Sequence, residues 1–139
     1  MTELRRMVRE ELEGGTPTGW IAQDIFYYAN GARFEECLEL LREVLKKRGS
    51  KMIDPVKVYE EQGSIFDEVR VRWEVYRLAV GNEGLRGWEP ILVEVYVREG
   101  RVVGMRSPDL LEIDGKPVLP DWKLAERWVR GEVGAWWRR

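Results

Sequence analysis

The sequence predicts an α+β protein in which a curved antiparallel sheet wraps around N-terminal helices. Three observations favour this class: an amphipathic helical segment early in the chain, long segments in which apolar and polar residues alternate, and short turns between those segments. Alternation with a period of two is typical of strands with one buried face, and short turns join antiparallel neighbours. We expect a pocket domain over residues 1–107. A C-terminal extension over 108–139 is expected to pack on the same domain or on a dimer partner.

The N-terminal third contains one ambiguous segment between two predicted helices. Residues 2–13 carry apolar side chains at helical spacing, and so do residues 35–48, which are followed by a glycine. Residues 24–35 allow a helix, whose apolar side chains would face all sides, or a strand that runs into Asn30-Gly31. That dipeptide is preferred in type I′ hairpin turns. We therefore favour a β-hairpin for this segment.

The rest of the chain predicts the sheet and the extension. Extended segments cover residues 56–60, 68–80 and 90–98, and residues 101–106 pair back after a tight turn. In the extension, residues 110–119 predict a small hairpin, and Asp121 caps a final helix. Long strands joined by short turns predict an antiparallel meander that the helices cover on one side.

The composition excludes several kinds of chemistry. The chain contains no histidine, which removes Ser-His and Cys-His nucleophile pairs and almost every zinc site. Its single cysteine, Cys37, excludes an internal disulfide. We expect no metal and no cofactor, so any catalysis would use carboxylates, Tyr, Lys or Arg. The net charge of −2 argues against a general affinity for nucleic acid or anionic membranes.

Composition also bears on location and stability. No apolar run approaches the roughly 18 residues of a membrane span, and residues 1–13 lack the apolar core of a signal peptide. We therefore expect a cytoplasmic protein. Abundant Glu and Arg, with no His and one Cys, are typical of thermophile proteins, so we expect a thermostable one.

Two stretches resemble one known superfamily. Residues 24–48, DIFYYANGARFEECLELLREVLKKR, are similar to its early hairpin and the packing helix that follows. Residues 90–106, PILVEVYVREGRVVGMR, are similar to its final hairpin. By these stretches and by the order of its elements, the chain resembles the nuclear-transport-factor-two-like superfamily, which includes the SnoaL-like proteins, over residues 2–107. The resemblance implies a cystatin-like cone and a homodimer that pairs through the sheet.

Within this superfamily the catalytic similarity is to limonene-epoxide hydrolase. The Tyr-Ala-Asn motif at residues 28–30 is similar to the pair that helps to hold the attacking water. The Arg-Trp-Glu motif at residues 72–74 is similar to that family's Arg-x-Asp stretch, with Glu in place of Asp. The resemblance implies an epoxide-hydrolase-like, or a cyclase- or isomerase-like, reaction. Its implied catalytic residues are Arg72, Glu74, Tyr28 and Asn30.

That family also has a second catalytic acid, an Asp after the last hairpin. The corresponding position here holds Ser107, with Asp109 two residues further on. A serine does not donate a proton as a carboxylic acid does. This departure favours an alternative from another class, a non-catalytic dimeric binding or scaffold module.

Arg72 and Glu74 are two apart on a strand, so their side chains are expected to lie side by side. In a pocket the pair would be desolvated and able to orient water or bind a polar group. On a convex face it would be a surface ion pair contributing about 0–1 kcal/mol. An apolar concave wall predicts a small hydrophobic ligand with one polar handle. The predicted ligand-binding residues are Trp20, Asp24, Tyr76, Val93, Val95 and Met105.

A nucleic-acid-binding alternative is the least favoured. Residues 21–48 also allow a helix-turn-helix with residues 32–48 as its recognition helix. Four acidic side chains on the exposed face of that helix would repel phosphates. They are Glu35, Glu36, Glu39 and Glu43.

Overall fold

The computed structural model describes residues 1–65 and 69–137, and it describes no side chains for residues 61–72. Its helices are α1 Thr2–Glu13, α2 Thr18–Tyr27, α3 Phe34–Arg48 and α4 Trp122–Val129. Its strands are β1 Met52–Ile65, β2 Val69–Gly84, β3 Gly87–Arg98, β4 Arg101–Arg106, β5 Leu111–Ile113, β6 Lys116–Val118 and β7 Gly134–Ala135.

The main sheet is antiparallel with the strand order β1-β2-β3-β4, and a small antiparallel sheet has the order β6-β5-β7. This arrangement confirms the predicted α+β class. Leu78 and Val93 pack with α1, α2 and α3, whereas their strand neighbours Ala79 and Leu92 pack with α4. The main sheet is therefore a central layer between two groups of helices.

The predicted hairpin over residues 24–35 is wrong, because the first part of this segment belongs to α2. The buried side chains there recur at helical spacing, and they are Ile21, Ala22, Ile25, Phe26 and Ala29. The first two lie upstream of the segment that favoured a strand, so the helical pattern was not visible within it. Tyr27 and Tyr28, which would have continued the strand, are exposed.

The Asn30-Gly31 dipeptide leads from α2 into α3 instead of closing a hairpin. Gly31 has a φ of 84°, which glycine adopts without strain, and its N–H donates to the carbonyl of Val102 at 2.8 Å. Arg33 then forms an isolated antiparallel bridge with Arg101. The residues predicted as the second hairpin strand therefore lie against the β4 edge of the main sheet.

Two strands differ from the predicted ones in length or register. β1 covers Met52–Ile65 rather than 56–60, because it continues through two irregularities in its pairing. β4 pairs with β3 through a bulge, which lets Val102 and Met105 pack with the helical core while Val103 is 45% exposed. Strict alternation without the bulge would place Val103 on the same face of the strand as Met105.

The position of α2 on the sheet depends on β2. The Glu83 carboxylate accepts hydrogen bonds from the Thr18 N–H and hydroxyl at 2.7 and 2.6 Å, which caps the start of α2. Burial opposes the charge of Glu83, but these hydrogen bonds and the nearby Arg48 hold its pKa below the usual value. A Cβ on Gly19 would lie 2.4 Å from Cγ1 of Ile91, so only glycine allows this close approach.

The C-terminal extension packs on the second face of the main sheet. Asp121 accepts a hydrogen bond from the N–H of Leu124 at 2.8 Å, which confirms the predicted cap of α4. α4 buries Trp128 completely. The chain then returns as β7, and the N–H of Trp136 donates to the carbonyl of Leu110 at 2.9 Å.

Candidate ligand-binding groove

β4 is shorter than β3, and this difference leaves part of β3 with an open edge. β4 pairs with residues 94–98 of β3, so residues 87–93 pair with β2 alone. A groove of about 520 Å³ lies along the open edge. Its other walls come from α2, from the loop at residues 107–109 and from the segment 119–122 that leads into α4. The volume lies within the range of roughly 300–1,000 Å³ that small-molecule sites occupy.

Rigid apolar side chains form most of the groove. Two indoles, Trp88 and Trp122, line it together with the proline rings at positions 90, 108 and 120. Leu119 also lines it and is 77% exposed, so this side chain lies at the mouth. Proline and tryptophan lose little conformational freedom when a ligand binds, which favours a preformed site.

Side chains cover two of the backbone carbonyls at the open edge of β3. The indole N–H of Trp122 donates to the carbonyl of Trp88 at 2.8 Å. The Ser107 hydroxyl donates to the carbonyl of Leu92 at 2.6 Å and accepts from the Gln23 amide at 2.8 Å. The proton of Ser107 is thus directed at a carbonyl rather than at a base, so this hydroxyl is not an activated nucleophile.

Charged groups lie around the groove as well. Three acidic residues, Glu89, Asp109 and Asp121, and one arginine, Arg86, are among the residues that line it. The Lys51 ammonium lies 4.1 Å from the centroid of the Trp122 ring, within the range of a cation–π interaction. The surroundings of the two indoles are therefore acidic and already hold one cation.

The predicted catalytic residue Glu74 lies on the helix-facing side of the main sheet. Tyr76, two residues along β2, places its ring 4.7 Å from that of Phe34, and its hydroxyl donates to the Glu74 carboxylate at 2.6 Å. Burial, followed by this hydrogen bond, raises the pKa of Tyr76 to about 12. The phenol therefore remains a hydrogen-bond donor at neutral pH.

The other predicted catalytic residues are not brought to Glu74 by the described part of the chain. Tyr28 is 61% exposed and lines a separate cavity against α1. Asn30 is exposed in the turn beyond β4, and two strand spacings, about 10 Å, separate β4 from β2. The side chain of Arg72 lies outside the described residues, so its predicted pairing with Glu74 stays a prediction.

The predicted ligand-binding wall is part of the hydrophobic core. Val93 and Val95 are 0% exposed, and Met105 is half-buried against the same cluster. The helices fill this side of the sheet, which leaves the two valines no accessible surface for a ligand. Tyr76 is half-buried here, whereas Trp20 is 56% exposed on the outside of α2.

Asp24, another predicted ligand-binding residue, faces a second carboxyl group. It forms a hydrogen bond with Glu11 of α1, and burial followed by this bond and the Asp24 charge raises the pKa of Glu11 to about 8. One oxygen of Glu11 is fully buried and has no hydrogen-bond partner among the described residues. The Glu11 carboxyl therefore keeps its proton at neutral pH where α1 meets α2.

A buried ion pair under α4 was not predicted. The Arg77 Nε atom lies 3.0 Å from a Glu94 oxygen, and the two side chains are 12% and 5% exposed. Tyr96 donates to the other Glu94 oxygen at 2.5 Å, and Arg77 donates to the carbonyl of Trp128 at 3.0 Å. The available signal was that two charged residues occupy strand positions whose neighbours on the same face are apolar.

The indoles of the groove were also absent from the predicted site. In the sequence each of these tryptophans has a proline two residues away, Pro90 or Pro120. Proline is confined to sheet edges and loops, so each pair indicates a tryptophan beside a strand edge or loop. An exposed edge beside a tryptophan is a place where an apolar groove can form.

Comparisons with protein-family models, with curated proteins and with solved structures find no match. Over residues 1–65 and 69–137, no helix has the length and apolar character that would span a membrane. Within the same described residues, no group of three or more Cys, Asp or Glu side chains has the arrangement of a metal site. Any functional assignment therefore depends on the geometry above.

Proposed function

We propose that this protein binds a small, largely apolar molecule in the groove along the open edge of β3 and does not transform it. The observation that carries this proposal is the combination of a volume of about 520 Å³ with two indoles and three proline rings. Such a lining offers a ligand apolar contact at a low cost in side-chain ordering.

Binding without chemistry is supported by the state of the groove's polar groups. Ser107 donates to a backbone carbonyl, and Asp121 accepts from the backbone at the start of α4. Both groups therefore stabilise the folded backbone, and neither is placed to act on a ligand. The four-stranded meander supports membership of the nuclear-transport-factor-two-like superfamily, whereas the helix in place of the early hairpin does not. Membership and a cone-shaped sheet are part of the proposal.

A charged side chain at the mouth of the groove tests the site. Leu119→Arg is expected to weaken the binding of the neutral fluorescent dye N-phenyl-1-naphthylamine about tenfold, because it replaces apolar contact by a hydrated charge. The measurement is a fluorescence titration. Leu85→Arg is the matched control, since Leu85 is fully exposed and lies outside the groove lining. No saturable binding by the parent, or equal binding by both variants, would contradict the binding of an apolar molecule in the groove.

A second candidate function is hydrolysis of an epoxide at Glu74. The observation that favours it is the 2.6 Å hydrogen bond between the Tyr76 hydroxyl and the Glu74 carboxylate on the helix-facing side of the sheet. If Glu74 is the general base, Glu74→Gln is expected to lower diol formation from limonene oxide by about 100-fold, the usual contribution of such a base. The control Glu39→Gln, on the exposed face of α3, is expected to leave diol formation unchanged. The diol is measured by chromatography. If the parent protein forms no diol, epoxide hydrolysis is not its function.

A further inference from the structure

The groove along the open edge of β3 has a chemical preference that its volume alone does not show. We propose that its ligand is a small organic cation, with an ammonium or guanidinium group on an apolar body. This inference rests on the proposed function, because it assumes that the groove is the ligand site, and it adds the class of ligand.

The first argument concerns the backbone groups at the floor of the groove. Alternate residues of a strand direct their carbonyls to the same edge, so Trp88, Pro90 and Leu92 all direct theirs toward the groove. Side chains donate to the first and the third, at 2.8 and 2.6 Å. The middle residue, proline, has no N–H to offer, and among the described residues no side chain donates to its carbonyl. The backbone therefore presents an acceptor to a ligand.

The second argument concerns the charges. The residues that line the groove include three acids and one arginine, and the Lys51 ammonium lies against Trp122, so the formal charge around the groove is −1 (two minus three). Asp109 is exposed there, and Arg86 is one cation among acidic neighbours. A carboxylate ligand would meet these like charges, whereas an ammonium or guanidinium group satisfies both the carboxylates and the Pro90 carbonyl.

The third argument concerns the aromatic rings. Trp122 already holds the Lys51 ammonium 4.1 Å from its ring centroid. This contact is an instance of the attraction between the face of an indole and a cation. A ligand cation over the groove side of the indoles would use the same attraction, and its apolar body would contact the proline rings.

Calorimetric titration with two ligands of equal shape tests the inference. The cation 3-hydroxybenzylammonium and its neutral isostere 3-ethylphenol differ only in an ammonium or a methyl group, and the ammonium can donate to the Pro90 carbonyl. The parent protein is expected to bind the cation about tenfold more tightly than the isostere. Asp109→Asn is expected to reduce that ratio to about threefold, because it removes one carboxylate and keeps the shape.

Asp114→Asn is the matched control. Asp114 is exposed in the turn between β5 and β6, outside the groove lining, and its φ of 51° suits asparagine. This variant should keep the tenfold ratio. A ratio near one in the parent overturns the inference, and so does an equal loss in the Asp109 and Asp114 variants.

The two proposals fail in different ways. If the neutral dye binds with its Leu119 dependence while the cation shows no preference, the groove remains the ligand site and only the ligand class is wrong. If neither the dye nor the cation binds, both proposals fall. If the cation binds with its Asp109 dependence but the dye does not, the groove is the ligand site and the proposal of a largely apolar ligand is wrong.

Discussion

Glu94→Ala is expected to lower the free energy of unfolding by about 3–5 kcal/mol, the usual cost of removing one partner of a buried ion pair. The Arg77 side chain is 12% exposed, so its guanidinium would keep a buried charge without the carboxylate that balances it. The same substitution removes the acceptor of the Tyr96 hydroxyl. Burial, followed by the hydrogen bond to Glu94, raises the pKa of Tyr96, so the phenol remains protonated and would lose its acceptor. Urea unfolding of parent and variant provides the measurement.

A double variant separates the charge from the packing. Arg77→Met combined with Glu94→Leu removes both charges and keeps apolar volume, so it should cost much less than the sum of the two single substitutions. The control is Arg130→Ala on the surface of the extension, whose partner Glu126 is 55% exposed and whose loss should cost about 0–1 kcal/mol. A loss below about 1 kcal/mol in Glu94→Ala would show that the pair is not desolvated as its burial indicates.

Glu11→Gln is expected to change the pH dependence of stability. The folded protein keeps the proton of Glu11 up to about pH 8, whereas the unfolded chain releases it near the ordinary glutamate pKa of 4.5. The folded state therefore binds more protons between these values, and its stability falls as the pH rises through this window. A glutamine amide donates to Asp24 at every pH, so the variant should lack this loss.

The expected size of this effect follows from the burial of the pair. Relative to the parent, Glu11→Gln should gain about 2 kcal/mol of stability between pH 5 and pH 8, less than the full pKa shift would give because the pair is partly solvated. Urea unfolding at both pH values measures this difference. Glu13→Gln, at an exposed position of the same helix, should show no such change. A constant difference between Glu11→Gln and the parent would mean that the Glu11 carboxyl does not keep its proton at neutral pH.

The elements that the sequence predicted well have local causes. α3 ends at Gly49, whose φ of 66° suits glycine, and α4 begins at the side-chain cap of Asp121. The turn at Asp114-Gly115 joins β5 to β6 as predicted. In each case the residues that end or begin the element are its own chain neighbours, so a short stretch of sequence contains the whole signal.

α2 was mispredicted because its determinants are distant in the chain. Its N-terminus is capped by Glu83, 65 residues away from Thr18. Its apolar stripe becomes clear only when Ile21 and Ile25 are seen together against the sheet. Within the segment that begins at Asp24, β-formers followed by Asn-Gly favour a hairpin, and tertiary packing overrides that preference.

In the candidate site, too, residues close in sequence were predicted and contacts between distant residues were not. The resemblance placed Glu74 on a strand, and its side chain faces the helices. Of the water-holding residues implied with it, Tyr28 lines a cavity against α1 and Asn30 lies in the turn beyond β4. The groove arises where β4 ends before β3 does and where the chain returns at Trp122. No single stretch of sequence contains these segments together.

The sequence by itself determined the α+β class, the alternating strands, α1, α3 and α4 and the small hairpin, because periodicity and capping act over a few residues. Only the tertiary structure decided that α2 is a helix, that the valine wall is core, and that Arg77 and Glu94 form a buried pair. It also decided that the tryptophans meet at an open strand edge. These outcomes depend on which surfaces remain uncovered after the whole chain has packed, and side-chain pattern along one segment does not contain that information.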